Sequence, residues 1–191
     1  YKSGWALSQM GHSSEAHRLL TYVEEKFMTG AGDFGSRESD VLSEVQHLYP
    51  NAYLIAGAQS VARYDVSLLA RRFLLTRQDP AHGGFYSQRE VPGEKSRTNS
   101  MTTAAAGMGA LAAGSLGPAT RAGEFLENLV DIQPDLGERF FTTMNADGSL
   151  LTDTDGEEYD WWLEISTNEP DQCWYAVGLP FAFSVELAEA T

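Results

Sequence analysis

Three glycine-centred turns, each preceded by helical periodicity, constrain this chain more than any other feature: Gly32-Asp33-Phe34-Gly35, Gly83-Gly84-Phe85-Tyr86 and Asp147-Gly148-Ser149-Leu150. A supersecondary unit recurring every 20 to about 50 residues signals an array in which each unit buries its apolar face on the next. The spacings here, 52 residues from Gly32 to Gly84 and 64 from Gly84 to Gly148, are long and uneven. Inserted loops or strands are therefore expected between the repeating helix pairs.

Helical periodicity supplies those pairs. Residues 5–10 and 14–27 flank a break at Gly11, and Ala16, Leu19, Leu20, Val23 and Phe27 recur at the spacing of one buried helix face. A second pair spans about 49–62 and 66–76, with Pro50 suited to a first helical turn. The third, 101–113 and 119–129, is separated by Gly114, Gly117 and Pro118. Its first helix is rich in Ala, Gly and Met. Gly107 and Gly109 there point to close packing or to room beside a cavity, because glycine costs about 1 kcal/mol against alanine inside a helix. Past Arg139 the grammar changes to short aromatic and β-branched runs, 140–144, 149–153 and 159–165, separated by Asp147-Gly148 and Asp155-Gly156. Asp-Gly is a strong hairpin signal, so an antiparallel β-meander is expected over 139–165. A last helix, 170–188, contains Pro180 and is expected to kink there.

Charge and composition exclude several functions. The net charge of −14, from 27 acidic against 13 basic residues, repels phosphate backbones and anionic lipid, so neither nucleic acid nor membrane is an expected partner. The uncharged run 98–120 is long enough to span a bilayer but too polar, and Pro118 interrupts it. One cysteine, Cys173, excludes an intrachain disulfide and fits a cytoplasmic location. No glycine-rich phosphate loop or HExxH-type metal motif occurs. The chain opens at Tyr1, in what reads as the middle of an element, so it is expected to be part of something longer.

The second repeat, Arg72-Phe73-Leu74-Leu75-Thr76-Arg77-Gln78-Asp79 followed by Gly83-Gly84-Phe85, resembles that of the α/α-toroid enzymes: terpene cyclases and the β subunits of protein prenyltransferases. Lys95-Ser96-Arg97-Thr98-Asn99-Ser100-Met101, leading into the alanine-rich helix, is similar to the opening of an inner prenyltransferase helix. The resemblance implies a mainly α fold: an α/α-toroid-like array of about three hairpins in one domain over 1–191, with the meander inserted near its C-terminal end. A closed six-hairpin toroid is longer than this chain. A homodimer or the remainder of a longer polypeptide is therefore expected to complete it.

Asp171-Gln172-Cys173-Trp174-Tyr175, with Gly178-Leu179-Pro180 after it, resembles the prenyltransferase segment that carries two zinc ligands. The family's third ligand is a downstream histidine, and this chain has none after His82. No metal or other cofactor is therefore expected, and Cys173 reads as a buried structural residue. Asp153-Thr154-Asp155-Gly156 is loosely similar to the acidic cluster with which class II terpene cyclases protonate an alkene, although a hairpin turn also explains it.

A toroid's inner helices line an axial cavity. The expected lining is Trp5, Tyr53, Gln59, Met101, Met108 and Trp174, an apolar and aromatic surface suited to a hydrophobic small molecule. The candidate acids are Asp160, Asp153 and Glu164, with Asp160 preferred because it lies between aromatic neighbours in the cluster Glu157, Glu158, Asp160, Trp161, Trp162, Glu164. Burial against tryptophan would hold such a carboxyl protonated. The expected function is acid- or base-driven isomerisation, cyclisation or elimination of a hydrophobic, isoprenoid-like molecule. Two alternatives stay open: a carbohydrate-active hydrolase, lyase or epimerase using Asp160 and Glu164, and a non-catalytic helical-repeat scaffold.

Overall fold

The computed structural model describes residues 1–35, 46–89, 93, 96–154 and 162–191. Seven helices occur among them: α1 (Ser3–Gln9), α2 (Ser13–Phe27), α3 (Leu48–Ser60), α4 (Tyr64–Leu75), α5 (Ser100–Ala112), α6 (Leu116–Asp131) and α7 (Tyr175–Ala190). Helices α1, α3, α5 and α7 lead and pack in series, each on the next, while α2, α4 and α6 return beside α1, α3 and α5. The result is three successive hairpins followed by a fourth leading helix. No helix among the described residues is long and apolar enough to cross a membrane. The uncharged run 98–120 is divided between α5, α6 and the turn joining them.

The repeat is visible in the hairpin turns. After α1, α3 and α5 come Gly11, Ala62 and Gly114, all with positive φ. In each case the next residue's N–H reaches five residues back, from His12 to Leu7, Arg63 to Ala58 and Ser115 to Ala110. This is the Schellman closure of a helix, made three times. The glycine turns repeat as well. Bridges Met28–Phe34, Gln78–Phe85 and Met144–Leu150 close the three loops. The N–H of Phe34 is received by Asn51 on α3, and that of Phe85 by Thr103 on α5, at 3.0 and 2.9 Å. Gly32 and Gly83 sit against the next returning helix: a Cβ would stand 2.3 Å from the Leu69 carbonyl oxygen and 2.5 Å from that of Arg121. Only glycine fits there, on steric grounds and because both have positive φ.

Small residues let the leading helices approach. Gly57 meets the backbone of Gly4 and Trp5, Gly109 that of Ala52, and the Phe183 ring covers Gly107. Every residue of α5 from Ser100 to Gly107 is buried. The leading helices run the same way: Trp5 lies by Gly57 and Ser8 bonds Ser60, while Ser100 bonds Ala176 and Gly107 meets Phe183. The last helix continues past Pro180 as one element. A proline there leaves the Ala176 carbonyl without its helical donor, and the buried Ser100 hydroxyl supplies one at 2.9 Å. The helix begins at Tyr175, later than the 170 expected from the proline before it.

The strands depart from a simple meander. β1 (Thr98–Asn99), β2 (Arg139–Phe141), β3 (Thr143–Met144) and β4 (Glu164–Ser166) form two antiparallel pairs, β1 with β3 and β2 with β4. Thr98 stands opposite Met144 and Phe140 opposite Ile165. The Asp147-Gly148 hairpin forms, with Asn145 N–H to the Ser149 carbonyl at 2.8 Å. The expected strand 149–153 is reduced to the Leu150 bridge and a Leu151 N–H to Thr143 carbonyl bond at 2.9 Å. The expected turn at Asp155-Gly156 lies outside the described residues.

Candidate functional site

A cleft of about 350 Å³ opens between the leading helices. Helix α1 contributes Trp5; α3 contributes Ala52, Tyr53, Ala56, Gln59 and Ser60; α5 contributes Ala105, Met108 and Ala112; and α7 contributes Glu186. On α5 the row 105, 108, 112 follows the three-and-four spacing of one helix face. The alanines keep the cleft open where larger side chains would fill it.

Four of the residues singled out in the sequence, Trp5, Tyr53, Gln59 and Met108, meet here. Met101 shares the α5 row by spacing but is 1% exposed and packed in the core. Trp174 precedes α7, is exposed and does not line the cleft. Neither Asp153 nor Glu164 lines it either. Asp153 is exposed, and Glu164 on β4 pairs with Arg139 on β2 at 3.4 Å. Asp160, with Glu157, Glu158 and Trp161, lies outside the described residues. Asp171 has positive φ and is exposed, while Cys173 is buried. Burial pushes the Cys173 thiol up, only partly offset by the Tyr175 hydroxyl. Among the described residues no three His, Cys, Asp or Glu side chains converge as a metal site would require.

The walls are ordered by hydrogen bonds and ring contacts. The Gln59 amide donates to the Ser67 hydroxyl at 3.0 Å. Ser60 accepts from Ser8 and donates to the Gly57 carbonyl, both at 2.7 Å, which ties α1 to α3. Aromatic rings continue from the cleft toward the start of the leading helices. Trp5 to Tyr53 is 5.9 Å between centroids, Tyr53 to Tyr49 is 5.1 Å and Tyr49 to Tyr1 is 5.8 Å. Burial raises the Tyr53 and Tyr49 phenols above the usual range, so both stay protonated at neutral pH.

Glu186 is the site residue that sequence reasoning missed. It is still open to solvent, yet desolvation first and the neighbouring Glu189 second push its carboxyl above the usual range. Its only sequence signal is a place in the row Tyr175, Leu179, Ala182, Glu186, which shares one face of α7.

Comparison with protein-family models, with curated proteins and with solved structures finds no match for this chain. The functional reading rests on the geometry.

Proposed function

We propose that this domain takes an apolar small molecule into the cleft between its leading helices, with Glu186 as the group that donates the proton. The observation that carries this reading is the lining: Trp5, Tyr53, Met108 and four alanines surround a space in which Glu186 is the one carboxyl among the described residues. Sites for small molecules are mostly apolar with a few placed polar groups, and 350 Å³ falls within their usual range. A carboxylic acid of raised pKa beside aromatic faces suits protonation of an alkene, since the rings stabilise the cation that forms. The reaction class is then isomerisation, cyclisation or elimination. The serial packing of four leading helices supports an α/α-toroid-like arrangement around the cleft.

A glycosidase-type mechanism calls for two carboxyl groups facing each other across the substrate. The described lining holds one, and Glu164 is engaged by Arg139, which favours the apolar reading. Asp160 stays a candidate second acid.

Ala56→Trp, which fills the cleft, is expected to abolish binding of the neutral fluorophore N-phenylnaphthylamine while helical content is kept. Undiminished binding would sink the assignment. Once a substrate is found, turnover that survives Asp160→Asn but not Glu186→Gln places the acid on α7. The exposed residues Val177, Phe181 and Val185 on α7, with Trp174 just before it, support association with a second copy, because large exposed apolar patches mark interfaces. Light scattering that gives only monomer at micromolar concentration counts against that association.

A further inference from the structure

Building on the apolar-cleft reading, we propose that the ligand carries a single carboxylate at one end, held by the Lys2 ammonium and the tyrosine hydroxyls around it. Lys2 Nζ lies 4.7 Å from the centroid of Tyr53, 5.2 Å from that of Tyr49 and 5.9 Å from that of Tyr1. Tyr53 belongs both to this group and to the cleft lining, so the positive charge stands at the end of the apolar space. Among the described residues Lys2 makes no ion pair; its ammonium rests on ring faces alone. In a chain with twice as many acids as bases, a cation with no carboxylate partner among the described residues, at the mouth of a cleft, has charge to offer an anion.

The surrounding groups fit that head. Tyr175, at the start of α7, interacts electrostatically with Tyr49 and Tyr1 and stays protonated, its hydroxyl already bonded to the Cys173 thiol. At the far end of the cleft, Gln59, Ser60 and Ala112 lie with Glu186, and no basic group among the described lining residues would pair with a second carboxylate there. The ligand is thereby oriented, with its head at Lys2 and its tail toward Glu186. Charge count sets the class of head. Among the described residues Lys2 brings the one side-chain ammonium to these rings, and no arginine lines the cleft. A singly charged carboxylate is matched, whereas a polyphosphate would bring excess charge into a protein of net charge −14. An ammonium head would have to displace Lys2 from the rings or stand beside it, and like charges at such range repel.

Three ligands with one tail and different heads test this: decanoate, decanol and decylammonium, each displacing N-phenylnaphthylamine near neutral pH in low salt. Decanoate is expected to bind about fivefold or more tighter than decanol. The advantage should vanish in Lys2→Met, return in Lys2→Arg and shrink as salt is added. Lys2 is exposed, so neither substitution threatens the fold. Equal binding of decanoate and decanol, or preference for decylammonium, overturns the carboxylate inference and leaves the apolar cleft standing. Failure of all three to displace the fluorophore overturns both.

Discussion

Ala62 occupies a position where a residue with a Cβ is out of place. Its φ of 59° is the left-handed conformation that Gly11 and Gly114 adopt at the equivalent closures. A side chain there costs on the order of 1 kcal/mol. Ala62→Gly is therefore expected to raise the unfolding free energy by about 0.5 to 1 kcal/mol in urea titration, a rare glycine substitution that stabilises. A loss of stability would show that the loop depends on the Ala62 methyl. Glu186 makes a prediction of opposite character. Its carboxyl is raised in the folded chain, so folding favours the protonated form. That favourable contribution is complete below the unfolded value of about 4.3 and is lost as pH rises through the folded value. Glu186→Gln should accordingly melt higher than the parent near neutral pH, with the difference closing near about pH 4. An equal difference at both pH values would refute the desolvation account.

At the scale of elements, Ser100 and Pro180 form a coupled pair across α5 and α7. Removing the Ser100 hydroxyl leaves the Ala176 carbonyl unpaired, and a buried unsatisfied acceptor costs about 1 to 3 kcal/mol. Ser100→Ala should cost that much in the parent and much less beside Pro180→Ala, which returns an N–H to the helix. A double-mutant cycle with no coupling would dismiss this account. The helices were legible because apolar rows at the 3.6-residue period survive in the sequence even when the repeat length drifts. Ser13–Phe27 and Ser100–Ala112 begin within one residue of expectation. The strand pairing was not legible: runs of two or three residues carry too little alternation, and β1 meets β3 across more than forty intervening residues. The lining Trp5, Tyr53, Gln59 and Met108 was expected from the toroid resemblance, not from the pattern alone. That resemblance could not tell that the core closes over Met101, or that Trp174 falls outside its helix. An exposed glutamate near a helix end is ordinary until its neighbours across a groove are known, which is why Glu186 gave no warning.

For the whole molecule, stability in a serial array is a sum of neighbouring interfaces. Helix α5 packs on α3, α6 and α7, whereas α1 packs on α2 and α3. Native-state hydrogen exchange should find the α5 amides slowest and those of α1 and α2 fastest, the first hairpin opening without the rest. Equal protection in α1 and α5 would mean that the array unfolds as one unit. The parallel course of the leading helices has an electrical consequence. Each helix carries a dipole equivalent to about half a positive charge at its N-terminus and half a negative charge at its C-terminus. The returning helices α2, α4 and α6 oppose this in part, but the described cleft lining comes from α1, α3, α5 and α7, which point the same way. Its Tyr1 and Tyr175 end is therefore positive and its Ala112 and Glu186 end negative before any side chain is counted. That field adds to the reluctance of Glu186 to ionise, and it resides in the backbone, where no single side-chain substitution removes it.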